Sequence, residues 1–116
     1  MARMIKIYKI EDKEILGRFK IGDMIRLGYT EESNLKFRID KIIAYDHNVL
    51  NLKDGFEERH DFLLDINSIG TIIGTAYKFD FKFNLLKEKE NHNIFWNCLV
   101  GNKNCFVHQD KIKLIP

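Results

Sequence analysis

An all-β fold is what this chain of 116 residues predicts, and three observations carry the prediction. The palette is strand-favouring: three alanines stand against sixteen isoleucines, nine phenylalanines and four tyrosines, and β-branched and aromatic side chains fit a pleated surface better than a helix. The sole proline is the last residue, so strand interiors keep their ladder donors and turns fall to Gly, Asn and Asp. The chain also echoes itself. Ile21-Gly22-Asp23-Met24-Ile25 returns as Ile69-Gly70-Thr71-Ile72-Ile73, His47-Asn48-Val49 as His92-Asn93-Ile94, Gly55 as Gly101 and His60 as His108. A period of roughly 45 to 50 residues marks two similar supersecondary units that share a core. With 45% apolar residues the chain can bury one core or two small fused ones, because the buried fraction of surface falls steeply below about 60 residues. Residues 1–116 are therefore expected to form a single compact unit, with halves at 19–66 and 67–116.

Each element has its own reason. Met4 to Ile10 alternates and reads as an N-terminal edge strand, followed by a charged turn at Glu11-Asp12-Lys13. Gly22-Asp23 launches the strand Met24 to Leu27. Leu35, Phe37 and Ile39 alternate with Lys36, Arg38 and Asp40, and Ile42-Ile43 breaks the phase, which predicts a bulge or bend. Asp46-His47-Asn48 reads as a turn, Val49 to Leu52 as a short strand, Asp54-Gly55 as a hairpin and Phe62 to Ile66 as the strand that closes the first half. Tyr77, Phe79, Phe81, Phe83 and Leu85 alternate with Lys78, Asp80, Lys82 and Asn84, which puts the aromatics on one face. After the charged loop at 87–91 come a strand at Ile94 to Val100, a turn at Gly101 to Asn104, the pair Phe106-Val107, a helical turn at His108 to Lys111 and a last strand through Ile112 and Leu114.

Ile21-Gly22-Asp23-Met24-Ile25-Arg26-Leu27 and the strand, helical turn and strand of residues 106–115 together resemble the SH3-like small barrel of Tudor and KOW modules. The resemblance covers Phe19 to Ile115 and implies two SH3-like halves, as tandem barrels or one merged barrel. It implies a fold and assigns no activity.

For function, charge decides little: the formal net charge is +2, short of the density that makes nucleic acid the default partner. The chain holds no nucleophile elbow, Walker loop, metalloprotease helix or paired Cys-x-x-Cys. A carboxylate cluster (Glu57, Glu58, Asp61, Asp65) beside His60 is ordinary for a solvated hairpin, and the four histidines lack the tight spacing of a zinc module. The expectation is a non-enzymatic binding protein with no cofactor and no bound metal. No signal core or membrane-length apolar run is present, so cytoplasmic, reduced thiols at Cys98 and Cys105 are expected, with a cross-strand disulfide as the alternative. Ile, Lys and Asn make 40 of the residues, a coding bias expected of an A/T-rich genome such as a low-GC bacterium, its phages or its plasmids. A phage or mobile-element protein that binds and blocks a host protein, for example a component of a defence system, is the leading expectation.

Phe95 and Trp96 are neighbours on a strand and point to opposite faces. Trp96 is the expected surface anchor for a protein partner, with Tyr29 and Tyr45 as further binding residues; the alternative buries both Phe95 and Trp96. A second function is a nucleic-acid-binding barrel using Arg26, Lys36, Arg38, Lys41, Lys78 and Lys82, with aromatics for base stacking. A third is capture of a nucleotide-like anion between the halves. The edge strand at Met4 to Ile10 also invites a homodimer.

Overall fold

The computed structural model describes residues 4–29, 40–52, 56–57, 60–81 and 93–116. Among these residues nine strands form one antiparallel sheet: β1 (Met4–Lys9), β2 (Met24–Leu27), β3 (Lys41–Asp46), β4 (Phe56–Glu57), β5 (Asp61–Asp65), β6 (Ile69–Phe81), β7 (Ile94–Val100), β8 (Lys103–His108) and β9 (Ile112–Leu114). The protein is all-β, and the sheet curls into a half-barrel. Its order is β4-β1-β6-β7-β8-β3-β5, and β2 pairs with both β6 and β9.

The thirteen-residue β6 organises the molecule. One of its edges pairs with β7 at residues 70–72 and 76–78; along the other, β1 lies against residues 77–81 and β2 against residues 69–71. β1 and β2 thus run as one line of pairing along that side of β6, interrupted by α1 (Lys13–Leu16), a single turn that Asp12 caps by accepting from the amides of Glu14 (2.9 Å) and Ile15 (3.4 Å). Of the charged segment expected as a turn, Asp12 is the cap and Lys13 the first helical residue. Residues 20–23 return the chain to the sheet through a turn closed by the Asp23 amide on the Lys20 carbonyl (3.0 Å), with Gly22 at φ +97° as a type II turn requires. Opposite the interruption, the β6–β7 register shifts between Ile72 and Ala76. Asn97 fills the bulge: a Cβ on Gly74 would stand 2.5 Å from its Oδ1, while its amide donates to Asn104 Oδ1 (2.6 Å) and the Cys105 carbonyl (3.1 Å).

Both faces of the sheet are covered. The concave face buries Ile25, Leu27, Ile72, Trp96, Val107 and their neighbours, with Ile15 and Leu16 of α1 packed against them. On the other face, Tyr45, Val49, Phe79, Phe95 and Phe106 form a second cluster, in which Phe79 and Phe95 stack at 4.3 Å and Ile7 and Tyr77 pack at the side. Burial on both faces explains why β7 reads as a near-continuous apolar run.

The repeat segments do not separate in space. Strands of 19–66 pair with strands of 67–116 at β2–β6, β2–β9 and β3–β8. The echoed residues occupy different settings: Gly22 sits in a turn, whereas Gly70 lies inside β6 opposite Ile25. Val49 to Asn51, part of an expected strand at 49–52, belong to a 3₁₀ turn at His47–Asn51 that Leu52 closes, because Asp46 accepts from the Asn48 amide (2.9 Å) and caps it. The N-terminal strand is flanked rather than free at Met4 and Ile5, where β4 pairs with it. The helical turn before β9 is a 3₁₀ turn at Gln109–Lys111, capped by His108 Nδ1 accepting from the Asp110 amide (3.1 Å). The expected strand around Leu35 to Ile39, the Asp54-Gly55 hairpin, the loop at 87–91 and the alternation beyond Phe81 lie outside the described residues.

Candidate protein-binding edge

β5 has the sequence Asp61-Phe62-Leu63-Leu64-Asp65, and its alternation decides where each side chain goes. Leu64 is buried in the concave core and Phe62 packs against it, while Asp61, Leu63 and Asp65 point outward and are exposed. β3 pairs with one side of β5; among the described residues no strand pairs with the other. The Ile66 amide donates to the Asp40 carbonyl (2.9 Å). In an antiparallel ladder this phase makes Ile42–Leu64 and Ala44–Phe62 the hydrogen-bonded pairs, so the amide and carbonyl of Leu63 face the open edge.

Beside that strand lies a groove of about 580 Å³, lined by Leu63, Leu64, Ile69 and Val100 with Asp65 and Lys103 at its polar margin. Leu63 is 55% exposed and Ile69 51%. The Lys103 ammonium lies 4.5 Å from the centre of the Phe62 ring, a cation–π contact that holds its charge on this wall. Asp65 is ion-paired with Lys41 across the β3–β5 ladder, whereas among the described residues no cation reaches Asp61. Backbone groups open on an edge, apolar side chains in a groove and charge at both ends of the strand together suit an extended polypeptide.

The residues expected to anchor a protein partner do not line this surface. Trp96 is 2% exposed and packs edge-on against Phe19 (5.2 Å), with Phe95 buried on the opposite face; two covered faces leave neither ring to the solvent. Tyr29 and Tyr45 are buried as well, Tyr29 donating its hydroxyl to the Lys41 carbonyl (3.2 Å) and Tyr45 packing on Phe79 and Phe95. The described basic candidates do not converge. Arg26 is exposed on β2 beside Lys113 of β9, Lys41 is neutralised by Asp65, and Lys78 stands at the far end of β6 opposite Tyr8 and Ile94. Lys36, Arg38 and Lys82 lie outside the described residues. Sequence reading passed over Leu63 and placed Asp61 and Asp65 only in a solvated carboxylate cluster, although charges bracketing a short apolar strand are a common sign of an edge.

Among the described residues no three His, Cys, Asp or Glu side chains converge. Cys98 and Cys105 face each other in the β7–β8 ladder as free, fully buried thiols. They donate to the carbonyls of Trp96 (3.4 Å) and Cys98 (3.7 Å), respectively. Burial raises both thiols well above the ordinary range, Cys105 to about 12, with the Asp46 carboxylate adding to the rise and Lys103 opposing it. Thiols held this way are poor nucleophiles. No described helix is long and apolar enough to cross a membrane. Comparison of the chain with protein-family models, with curated proteins and with solved structures finds no match in any of the three.

Proposed function

We propose that this chain is a non-catalytic binding protein whose partner is a polypeptide, taken up along β5 and its groove. The observation that carries the reading is the edge at Leu63, where backbone groups that no described strand pairs and an apolar groove coincide. The strand order β9-β2-β6-β7-β8, with a 3₁₀ turn before β9, supports a single SH3-like barrel spread over the whole chain, with β3 to β5 carried on the connection between β2 and β6. That placement makes β5 an added edge available for recognition.

The test is capture of the partner from the source cell by the tagged full chain, followed by reconstitution from purified components. Replacing Leu63 and Ile69 together by Ser is expected to weaken the reconstituted complex by about tenfold or more, since each truncation removes apolar burial worth about 1 kcal/mol or more. Replacing Arg26 and Lys113 by Ala is expected to leave it unchanged. Indifference to the Ser pair overturns the reading. Affinity that falls steeply with salt and with loss of Arg26 and Lys113 replaces it with the nucleic-acid alternative, which the adjacency of those two cations favours.

A further inference from the structure

We propose that the segment β5 accepts is an extended strand with Lys or Arg two residues to either side of an apolar residue, and with apolar residues between. The inference rests on the binding reading above and adds the chemistry of the partner. A strand added at the open edge pairs its central residue with Leu63, whose amide and carbonyl point toward it. Side chains directly opposite one another in a ladder share a face. The positions two residues to either side of the centre therefore stand beside Asp61 and Asp65, both exposed on the outer face. A cation there is attracted, most of all by Asp61, which Lys41 does not neutralise. The two intervening side chains turn to the concave side, beside Phe62 and Leu64 and toward the groove. Lys103 already occupies that wall over the Phe62 ring, so a cation turned inward meets a like charge and an apolar side chain does not.

The same arithmetic excludes a second copy of this chain as the occupant. Two β5 strands paired antiparallel about Leu63 set Asp61 of each against Asp65 of the other, and like charges directly opposite destabilise a ladder. The aspartates thus protect the edge from self-pairing and select a partner of opposite sign.

Titration of the full chain with labelled peptides tests this, using SKVIVKS, its charge-reversed counterpart SEVIVES, and SKVIVKS methylated on the central backbone amide. The lysine peptide is expected to bind about tenfold more tightly than the glutamate peptide, because two opposed pairs change sign. Methylation of the central amide and Leu63→Pro are each expected to abolish binding, and changing Asp61 and Asp65 to Asn is expected to bring the two peptides within about twofold of each other. Equal or tighter binding of the glutamate peptide overturns the proposal, as does an affinity untouched by Leu63→Pro. Failure of the lysine peptide to bind at about 1 mM also overturns it. So does sedimentation showing a dimer that Leu63→Pro dissociates, which makes a second copy the occupant. If the captured partner depends on Leu63 and Ile69 while the lysine peptide does not bind, the partner chemistry fails and the binding reading stands. If the partner ignores both residues, the binding reading itself fails.

Discussion

Cys98 and Cys105 show how burial of a titratable side chain leaves a measurable mark. Each thiol ionises near 9.0 in an unfolded chain and well above that in the fold. Between pH 9 and about 12 the folded state consequently holds more protons than the unfolded state, and stability must fall as pH rises. The expected slope is up to about 1.4 kcal/mol per pH unit for each thiol. Urea denaturation at stepped pH checks it: stability should be insensitive to these thiols below pH 9 and decline above it, with a shallower decline in Cys98→Ala. An identical alkaline slope in that variant rules the account out. Glycines give a second contrast at this scale. A Cβ on Gly70 would stand 2.7 Å from the Leu99 carbonyl oxygen and 2.9 Å from a Val100 methyl, so Gly70→Ala has to part β6 from β7 and is expected to cost about 2 to 3 kcal/mol. Gly101, at φ +61° with open space around it, is expected to cost about 1 kcal/mol as Ala and less as Asn.

At the scale of elements, hydrogen-bond phase separates two neighbouring residues of β5. Leu63 donates nothing to β3, whereas the Leu64 amide belongs to the ladder with Ile42. Leu63→Pro is expected to keep the far-ultraviolet spectrum and to lose about 1 kcal/mol, while Leu64→Pro removes a ladder bond in the core and should cost roughly 3 kcal/mol or more. Similar losses in both variants would mean that the open edge has been assigned to the wrong side of the strand. Local pattern made several such elements legible in advance. β2, β7 and the end of the chain from β8 through the 3₁₀ turn to β9 follow from alternation and turn chemistry alone. Of the 3₁₀ turn at His47–Asn51 only the start, Asp46-His47-Asn48, did so; its extension through Val49 depends on that side chain finding the second cluster. The bulge in β6 left one signal, an isolated Gly74 inside a strand pattern, but only the Asn97 side chain above it explains its place. The candidate edge was less legible still. Alternation says that Leu63 points outward and cannot say whether another strand lies beside it; pairing is a property of the whole sheet.

For the whole molecule, the consequence of interleaving is cooperativity. β2 lies between β6 and β9, β8 pairs with β3, and the concave core draws Phe19, Ile25 and Ile42 from one segment and Ile72, Trp96, Val107 and Ile112 from the other. Neither segment holds a complete set of neighbours for its own strands, and each exposes half a core when alone. A fragment of about 50 residues also sits near the lower limit at which an apolar core offsets chain entropy. The full chain is therefore expected to unfold in one transition, with calorimetric and van't Hoff enthalpies equal. Fragments 19–66 and 67–116 are expected to show unfolded spectra separately, because β2 loses both of its partners in the first and β6 loses the whole edge formed by β1 and β2 in the second. A cooperative melt from either fragment would restore two autonomous lobes as the unit of this fold. It would also detach β5 from the hairpin at Gly101 that forms the far wall of its groove, so the same experiment bears on the binding edge.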